Sequence, residues 1–179
     1  MSTCSHIALM AHYNEWMNDK LYAAARTLPT EALAAERQAF FGSIIGTLNH
    51  LVVGDTIWLQ RFATHPAGHS SLDPIRRLPA PPALDAVLFA DIEALFSQRQ
   101  MLDQTIKQWA AQLTEADLLE TLRYRNVKGV AMTKRFSSLV MHFFNHQTHH
   151  RGQVSTLLFQ AGVDIGVTDL LALIPDEEA

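Results

Sequence analysis

Apolar residues recur every three or four positions in four long stretches of the chain, the pattern of helices that bury one face. The first stretch predicts a helix from Ile7 to Leu28 that ends at Pro29. The second, from Ser43 to Phe62, is apolar almost all round. It predicts a helix packed on several sides, with Ser43 as its N-cap.

The two remaining stretches lie in the second half of the chain. The third helix is predicted from Leu84 to Leu113, with Arg99 in the only polar slot of its apolar series. The fourth is predicted from about Lys134 to Ala161, and Gly162 is a natural C-terminal stop. The tail, residues 163–179, has enough apolar residues that we expect it to pack along the other helices.

The connections between these helices differ in character. Residues 63–83 contain five of the seven prolines and predict one long crossover. Thr114 begins a capping signal, and residues 121–133 alternate around a turn near residues 126–129, which predicts a short β-hairpin. The predicted fold is all-α: a four-helix bundle with one long crossover loop and a small β-hairpin before the last helix, forming one domain over residues 1–179.

Composition narrows the functional classes. Fourteen Lys and Arg against eighteen Asp and Glu give a formal charge of -4, and no basic block is present, so nucleic acid is not an expected partner. Cys4 is the single cysteine, which excludes an intramolecular disulfide. The N-terminus lacks a secretory pattern and no stretch is long and apolar enough to span a membrane, so we expect a cytoplasmic protein with no membrane partner.

Four of the nine histidines lie within nine positions of the fourth predicted helix. His146 and His150 are four residues apart, so they share one helix face and could bind one ion at about 2.0–2.1 Å. His50, in an apolar part of the second helix, is the candidate third ligand, with a hydrogen-bonded core histidine as the equal alternative. Spacing alone does not choose the ligands, because His142 and His149 lie on or near the same face.

The other histidines do not form a pair four residues apart on a predicted helix, and we expect them on the surface or in loops. They are His6, His12, His65 and His69. No glutamate follows His146 directly, so the general base of His-Glu-x-x-His metalloproteases is missing.

Three motifs surround the candidate ligands. They are Asn145-His146-x-x-x-His150-Arg151-Gly152-Gln153, Leu48-x-His50-x-x-x-x-Asp55-x-x-Trp58 and Tyr13-Asn14-x-Trp16-x-Asn18. Together with the order of elements, these motifs resemble the DinB-like family of damage-inducible and thiol-dependent proteins over nearly the whole chain. The resemblance implies a homodimer and a divalent metal, zinc or nickel, held by His50, His146 and His150.

The resemblance also implies an activity on a small-molecule substrate. Some family members use a low-molecular-weight thiol for S-transfer or isomerisation, with a metal-bound thiol or water as the nucleophile. Three neutral histidines leave a coordination position open, as in catalytic zinc sites. Three alternatives remain: a non-catalytic stress-response module in which the metal is structural, a metal-dependent hydrolase, and a plain helical bundle with core histidines and no metal.

Further residues of these motifs are candidates for contacts behind the ligands or for walls of a substrate pocket. They are His142, His149, Asp55, Trp58, Arg151 and Tyr13, with Trp16 as another possible wall. Asp55 lies about 140° around the helix from His50, which favours a hydrogen bond between helices over ligation. Arg151 is turned about 100° from His150, which suggests an ion pair or a contact with a carboxylate of a thiol cofactor.

Overall fold

Four long helices form the body of the computed structural model, which describes residues 2–176. The first and second of these long helices lie on one diagonal of the bundle, because each packs against the third and the fourth. The prediction of an all-α four-helix bundle with a small hairpin is confirmed. In chain order the helices are α1 (Thr3–Ala25), α2 (Thr30–Ala34), α3 (Ile44–Phe62), α4 (Asp73–Arg76), α5 (Ile92–Gln112), α6 (Glu115–Leu119) and α7 (Phe136–Gln160).

The helix starts follow their capping residues. The Ser43 hydroxyl accepts a hydrogen bond from the Gly46 amide at 3.1 Å and begins α3, as predicted. Thr114 forms a complete capping box with Asp117 at the start of α6. Helix α1 begins four residues before the predicted position, because the Ser2 side chain caps it.

The crossover between α3 and α5 is longer than predicted. Helix α5 begins at Ile92, not at Leu84, so the predicted start is wrong. The reason is a set of contacts from α3: the Asn49 amide group donates to the Phe89 carbonyl at 2.9 Å and accepts from the Phe89 amide at 3.0 Å. The Leu84 carbonyl likewise accepts a hydrogen bond from His50. These bonds use backbone groups that a helix would need internally.

The predicted hairpin lies directly before the last helix. Strands β1 (Thr121–Arg125) and β2 (Ala131–Arg135) are antiparallel, with Thr121 opposite Arg135. The Asn126 carboxamide oxygen accepts hydrogen bonds from two amides of the turn and fixes its shape. Because α7 starts at the residue after β2, the hairpin sits close to the histidine-rich helix.

The tail runs along α1. The Tyr13 hydroxyl donates to the Thr168 carbonyl at 2.7 Å, and a 3-10 turn at Leu170–Leu173 also contacts α1. Residues 177–179 of the predicted tail lie outside the described residues. Within residues 2–176, no helix combines the length and hydropathy that a membrane span requires.

Buried polar side chains form a network through the centre of the bundle. The Arg99 guanidinium on α5 contacts the carboxylates of both Asp55 on α3 and Asp103 on α5. Burial raises the pKa of Asp103 to about 6, although Arg99 opposes this effect. The network joins all four long helices through Asn14, Asn18, Asp55, Arg99, Asp103, Gln147 and Arg151.

Candidate metal centre

Three imidazole rings converge between α3 and α7. His50 lies on α3, and His146 and His150 lie one turn apart on α7, which packs against α3. The Nε2 atoms of His50 and His146 are 3.2 Å apart. The ring centroid of His150 is 4.4 Å from each of the other two centroids. The structure therefore brings together the three histidines that the sequence singled out.

The spacing of these rings suits a transition-metal ion. Two nitrogens bound to one tetrahedral zinc ion at about 2.0–2.1 Å are separated by about 3.3 Å. The Nε2 atoms of His50 and His146 match this separation, and the possible ligand nitrogens of all three rings lie within 4.8 Å of one another. The residues present therefore fit a three-histidine metal site after a small contraction around His150.

The second nitrogen of two of these rings already has a hydrogen-bond partner. His50 Nδ1 is 2.7 Å from the Leu84 carbonyl oxygen, and His150 Nδ1 is 2.7 Å from the Gln153 side-chain oxygen. Both oxygens can only accept, so each Nδ1 carries the proton and each Nε2 keeps its lone pair. Metal-ligating histidines are oriented in the same way.

Burial keeps the cluster neutral. Burial, together with the neighbouring histidines, lowers the pKa of His146 from 6.5 to about 3. Burial also lowers the pKa of His50 and of His150, although their hydrogen bonds to Leu84 and Gln153 oppose the effect. All three rings are thus uncharged at neutral pH, and the uncharged form of histidine is the one that binds a metal.

Two residues that the sequence did not single out shape the centre. A Cβ atom at Gly54 would lie 2.9 Å from Cε1 of His146, so only glycine leaves room for this ring against α3. Phe41 stacks on His50 with ring centroids 3.7 Å apart. An isolated β-bridge between Ala39 and Gly42 shapes the turn that places Phe41 there. Tertiary packing fixes both contacts, and no spacing in the sequence marks them.

The other two histidines of α7 flank the centre. The ring of His142 is 6.0 Å from that of His146 and 4.9 Å from that of Trp58, measured between centroids. His149 is exposed on the other side, with its centroid 4.8 Å from that of His150. His142 and Trp58 therefore border one side of the centre, as candidates for pocket residues should.

Three candidate residues lie behind the centre. Asp55 accepts a hydrogen bond from Gln147 at 2.7 Å and so links α3 to α7, as its position predicts. Arg151 is only 2% exposed and donates to Asn14, so its pairing is structural and runs through an uncharged side chain. Tyr13 lies beneath the Arg151 guanidinium and holds the tail, which is a structural contact and not a pocket wall.

A basic groove borders the centre. It has a volume of about 500 Å³ and includes Leu84, whose carbonyl accepts the His50 hydrogen bond. Arg61 lies over the rings of Trp58 and Tyr124, at 4.6 and 5.0 Å from their centroids. The groove contains three arginines, none of which forms an ion pair within residues 2–176. They are Arg61, Arg123 and Arg125.

Two other histidines lie in a loop, as expected, but they are buried. His65 and His69 belong to the connection after α3 and are only 4% and 8% exposed. The loop folds back against α6 and α7 and buries both rings. The sequence did not predict this burial, because local polarity does not report how a loop packs.

The whole chain is similar to known proteins. A family model described as "DinB family" matches residues 1–178. Protein DinB of Bacillus subtilis (strain 168) is 27% identical over 157 residues, which cover 88% of this chain and 87% of that protein. No solved structure matches the chain significantly.

Proposed function

The chain belongs to the DinB family, and from this membership we propose that it is a divalent-metal-dependent enzyme that uses a low-molecular-weight thiol as an S-transferase or isomerase. The observation that carries the proposal is the convergence of His50, His146 and His150, with the Nε2 lone pairs of His50 and His150 available. These three side chains would hold a zinc or nickel ion. At an open coordination position, such an ion supplies an acidified thiol or water at neutral pH.

His142 is placed to accept the proton that the thiol loses. Its ring lies beside His146 and against Trp58, on the side of the centre toward the basic groove. Burial lowers the pKa of His142, and the nearby Arg61 charge lowers it further, so the ring is neutral at pH 7 and can take a proton. We therefore assign His142 the role of proton acceptor.

The basic groove is where we place the substrate. Arg61, Arg123 and Arg125 line one concave surface, and guanidinium groups bind carboxylates and phosphates with two hydrogen bonds. We propose an anionic electrophile or an anionic thiol as the ligand. In S-transfer, the sulfur forms a bond to an electrophilic carbon, the leaving group departs with the bonding electron pair, and His142 holds the thiol proton.

The test uses the full-length protein loaded with Co²⁺. Glutathione and L-cysteine are titrated while the cobalt absorption bands are recorded, and conjugation of each thiol to an electrophile is followed separately. We expect the thiols to change the spectrum and the loaded protein to accelerate conjugation. A spectrum that no thiol changes, with conjugation at the background rate, would overturn the proposal.

Matched variants separate the assigned roles. His142→Gln is expected to reduce kcat at least tenfold while leaving the metal content unchanged. His149→Gln, an exposed histidine on the same helix, should leave both unchanged. Loss of metal in His142→Gln would show that His142 acts as a ligand and not as the proton acceptor.

Phe41 favours a second candidate function, a non-catalytic module in which the metal is structural. Its ring covers His50 at a centroid distance of 3.7 Å and lies 5.4 Å from the ring of His150, which restricts access from that side. A saturating structural ion would raise Tm by about 5–10 °C for a chain of this size. Such a rise together with a cobalt spectrum insensitive to thiols would identify this second function.

A further inference from the structure

A second group of metal-binding side chains lies at the far end of α3. His50 and the last residue of α3, Phe62, are separated by roughly 18 Å along the helix. Beyond Phe62 the chain turns at Gly68, and His65 and His69 flank this turn. Their rings are stacked, with centroids 5.7 Å apart and planes inclined by 20°, so they face in a common direction.

The side chain that faces these rings is a carboxylate. Oδ2 of Asp117 on α6 lies 3.8 Å from Nε2 of His69. The same carboxylate oxygen accepts a hydrogen bond from the Thr114 amide at 2.9 Å, and the Asp117 amide donates to the Thr114 hydroxyl. The capping box therefore fixes the position of the carboxylate independently of the histidines.

One nitrogen of each of these two rings lacks a hydrogen bond. Nε2 of His65 and Nε2 of His69 are buried and have no hydrogen-bond partner in the described part of the chain. Buried polar atoms without a partner are rare in folded proteins, and a bound ion or water would supply the missing partner here. One possible ligand atom from each of His65, His69 and Asp117 lies within 4.8 Å of the others.

We propose that His65, His69 and Asp117 form a second divalent-metal site of the zinc type, separate from the three-histidine centre. Two imidazole nitrogens and one carboxylate oxygen are an established zinc ligand set. Donor atoms around tetrahedral zinc are about 3.3 Å apart, so separations of up to 4.8 Å have to shorten by about 1.5 Å at most. The ion would tie the loop after α3 to α6.

Metal binding here requires a change at Ala67. The Ala67 amide donates to Nδ1 of His65 at 3.2 Å, so the proton of the neutral His65 ring is on Nε2. For Nε2 to bind an ion, this proton has to move to Nδ1, and the Ala67 amide has to release its acceptor. The Ala67 amide resonance is therefore a specific reporter for this site.

The positive charge of Arg76 lies near His69, but the carboxylate of Asp73 largely offsets it. Arg76 is close enough that its charge lowers the pKa of His69, after the larger effect of burial. Its guanidinium pairs with Asp73 and donates to the Ala63 carbonyl, so it does not occupy the Asp117 carboxylate.

Zinc alone, titrated into the chelator-treated full-length protein, tests the site. We expect two ions per chain in the wild type. One ion is expected in the triple variant His50→Ala/His146→Ala/His150→Ala and one in His65→Gln/His69→Gln. His12→Gln, which changes an exposed histidine of α1, should still bind two ions.

The outcomes separate this site from the three-histidine centre. One ion in the wild type and none in the triple variant would overturn the second site. One ion in the wild type and one in the triple variant, with none in His65→Gln/His69→Gln, would support the second site. The same result would show that the three-histidine centre binds no zinc.

A folding defect in the double variant would not prevent the test. Asp117→Asn keeps an oxygen for the Thr114 amide and removes the carboxylate, so it should lose one ion and the zinc-induced shift of the Ala67 amide resonance. An unchanged Ala67 resonance in the zinc-saturated triple variant would also overturn the second site.

Discussion

Gly54 is a single residue on which the position of a candidate ligand depends. Alanine favours a helix over glycine by about 0.8–1 kcal/mol, but the added Cβ would lie 2.9 Å from Cε1 of His146. We expect Gly54→Ala to weaken Co²⁺ binding at the centre about tenfold, because the ring has to move. The Tm of the metal-free protein should not fall, since helix propensity offsets the displacement.

Gly152 provides the matched control for this substitution. It also lies within a long helix, α7, and a Cβ there would meet nothing within 4 Å. Gly152→Ala should therefore raise Tm without changing the affinity for Co²⁺. Equal affinities in the two variants would contradict the role assigned to Gly54.

The protonation of His146 makes stability depend on pH. Burial lowers its pKa from 6.5 to about 3, so below pH 6.5 the unfolded chain binds a proton that the folded chain does not. The free energy of unfolding of the metal-free protein therefore falls as the pH drops from about 6.5 toward 3. Urea unfolding should show a loss of about 1 kcal/mol from His146 between pH 7.5 and 5, allowing for its partial exposure.

Two asparagine variants check the source of this loss. His146→Asn should have a smaller pH dependence than the wild type, because the side chain no longer titrates. His149→Asn changes an exposed neighbour and should behave as the wild type does. The same pH dependence in all three proteins would assign the effect to other groups.

At the scale of single residues, the sequence predicted the three histidines of the metal centre but not the residues around them. The spacing of His146 and His150 follows from helix geometry alone, and His50 stood out as a polar residue in an apolar helix. Phe41 reaches the centre from a turn, and Arg123 and Arg125 line the groove from strand β1, so no helical periodicity predicts their contacts. The burial of His65 depends on loop packing and was missed for the same reason.

Among the elements, the crossover segment of residues 84–90 depends most on a partner helix. Both polar atoms of the Asn49 side chain bond to Phe89, and the adjacent His50 bonds to Leu84. We expect Asn49→Ala to release this segment, to lower the free energy of unfolding by about 1–3 kcal/mol, and to weaken metal binding about tenfold. Urea unfolding and Co²⁺ titration measure the two effects.

Asn145 offers a control of the same residue type. It is exposed on α7, directly before His146. Asn145→Ala should change neither the free energy of unfolding nor the Co²⁺ affinity by more than a small amount. Normal metal affinity in Asn49→Ala would show that the crossover does not support the His50 hydrogen bond.

The elements that the sequence predicted well carry their own stop and start signals. Ser43 caps α3 and Thr114 caps α6, so both starts could be read locally. The start of α5 was misplaced because Leu84 and Leu88 continue its apolar spacing, while the contacts that hold them in the crossover come from α3. The periodicity of apolar residues cannot show that a side chain from another helix forms a hydrogen bond with a backbone group.

For the whole molecule, the family resemblance predicts a homodimer. Light scattering coupled to size-exclusion chromatography should give twice the chain mass of 20.0 kDa. Measurement over a range of protein concentrations, with and without zinc, shows whether association depends on the metal. A mass of one chain under all these conditions would contradict the prediction.

The buried polar network has a consequence for how the helices find their alignment during folding. Arg99 meets Asp55 across the α3–α5 interface, and Asp55 meets Gln147 across the α3–α7 interface. A slip of either interface by one turn moves these partners about 5.4 Å apart and leaves a buried charge unpaired, which costs several kcal/mol. Misaligned bundles are thus penalised before any ligand is present. The correct alignment also sets His50 opposite His146, so the polar core and the metal centre depend on the same registration of helices.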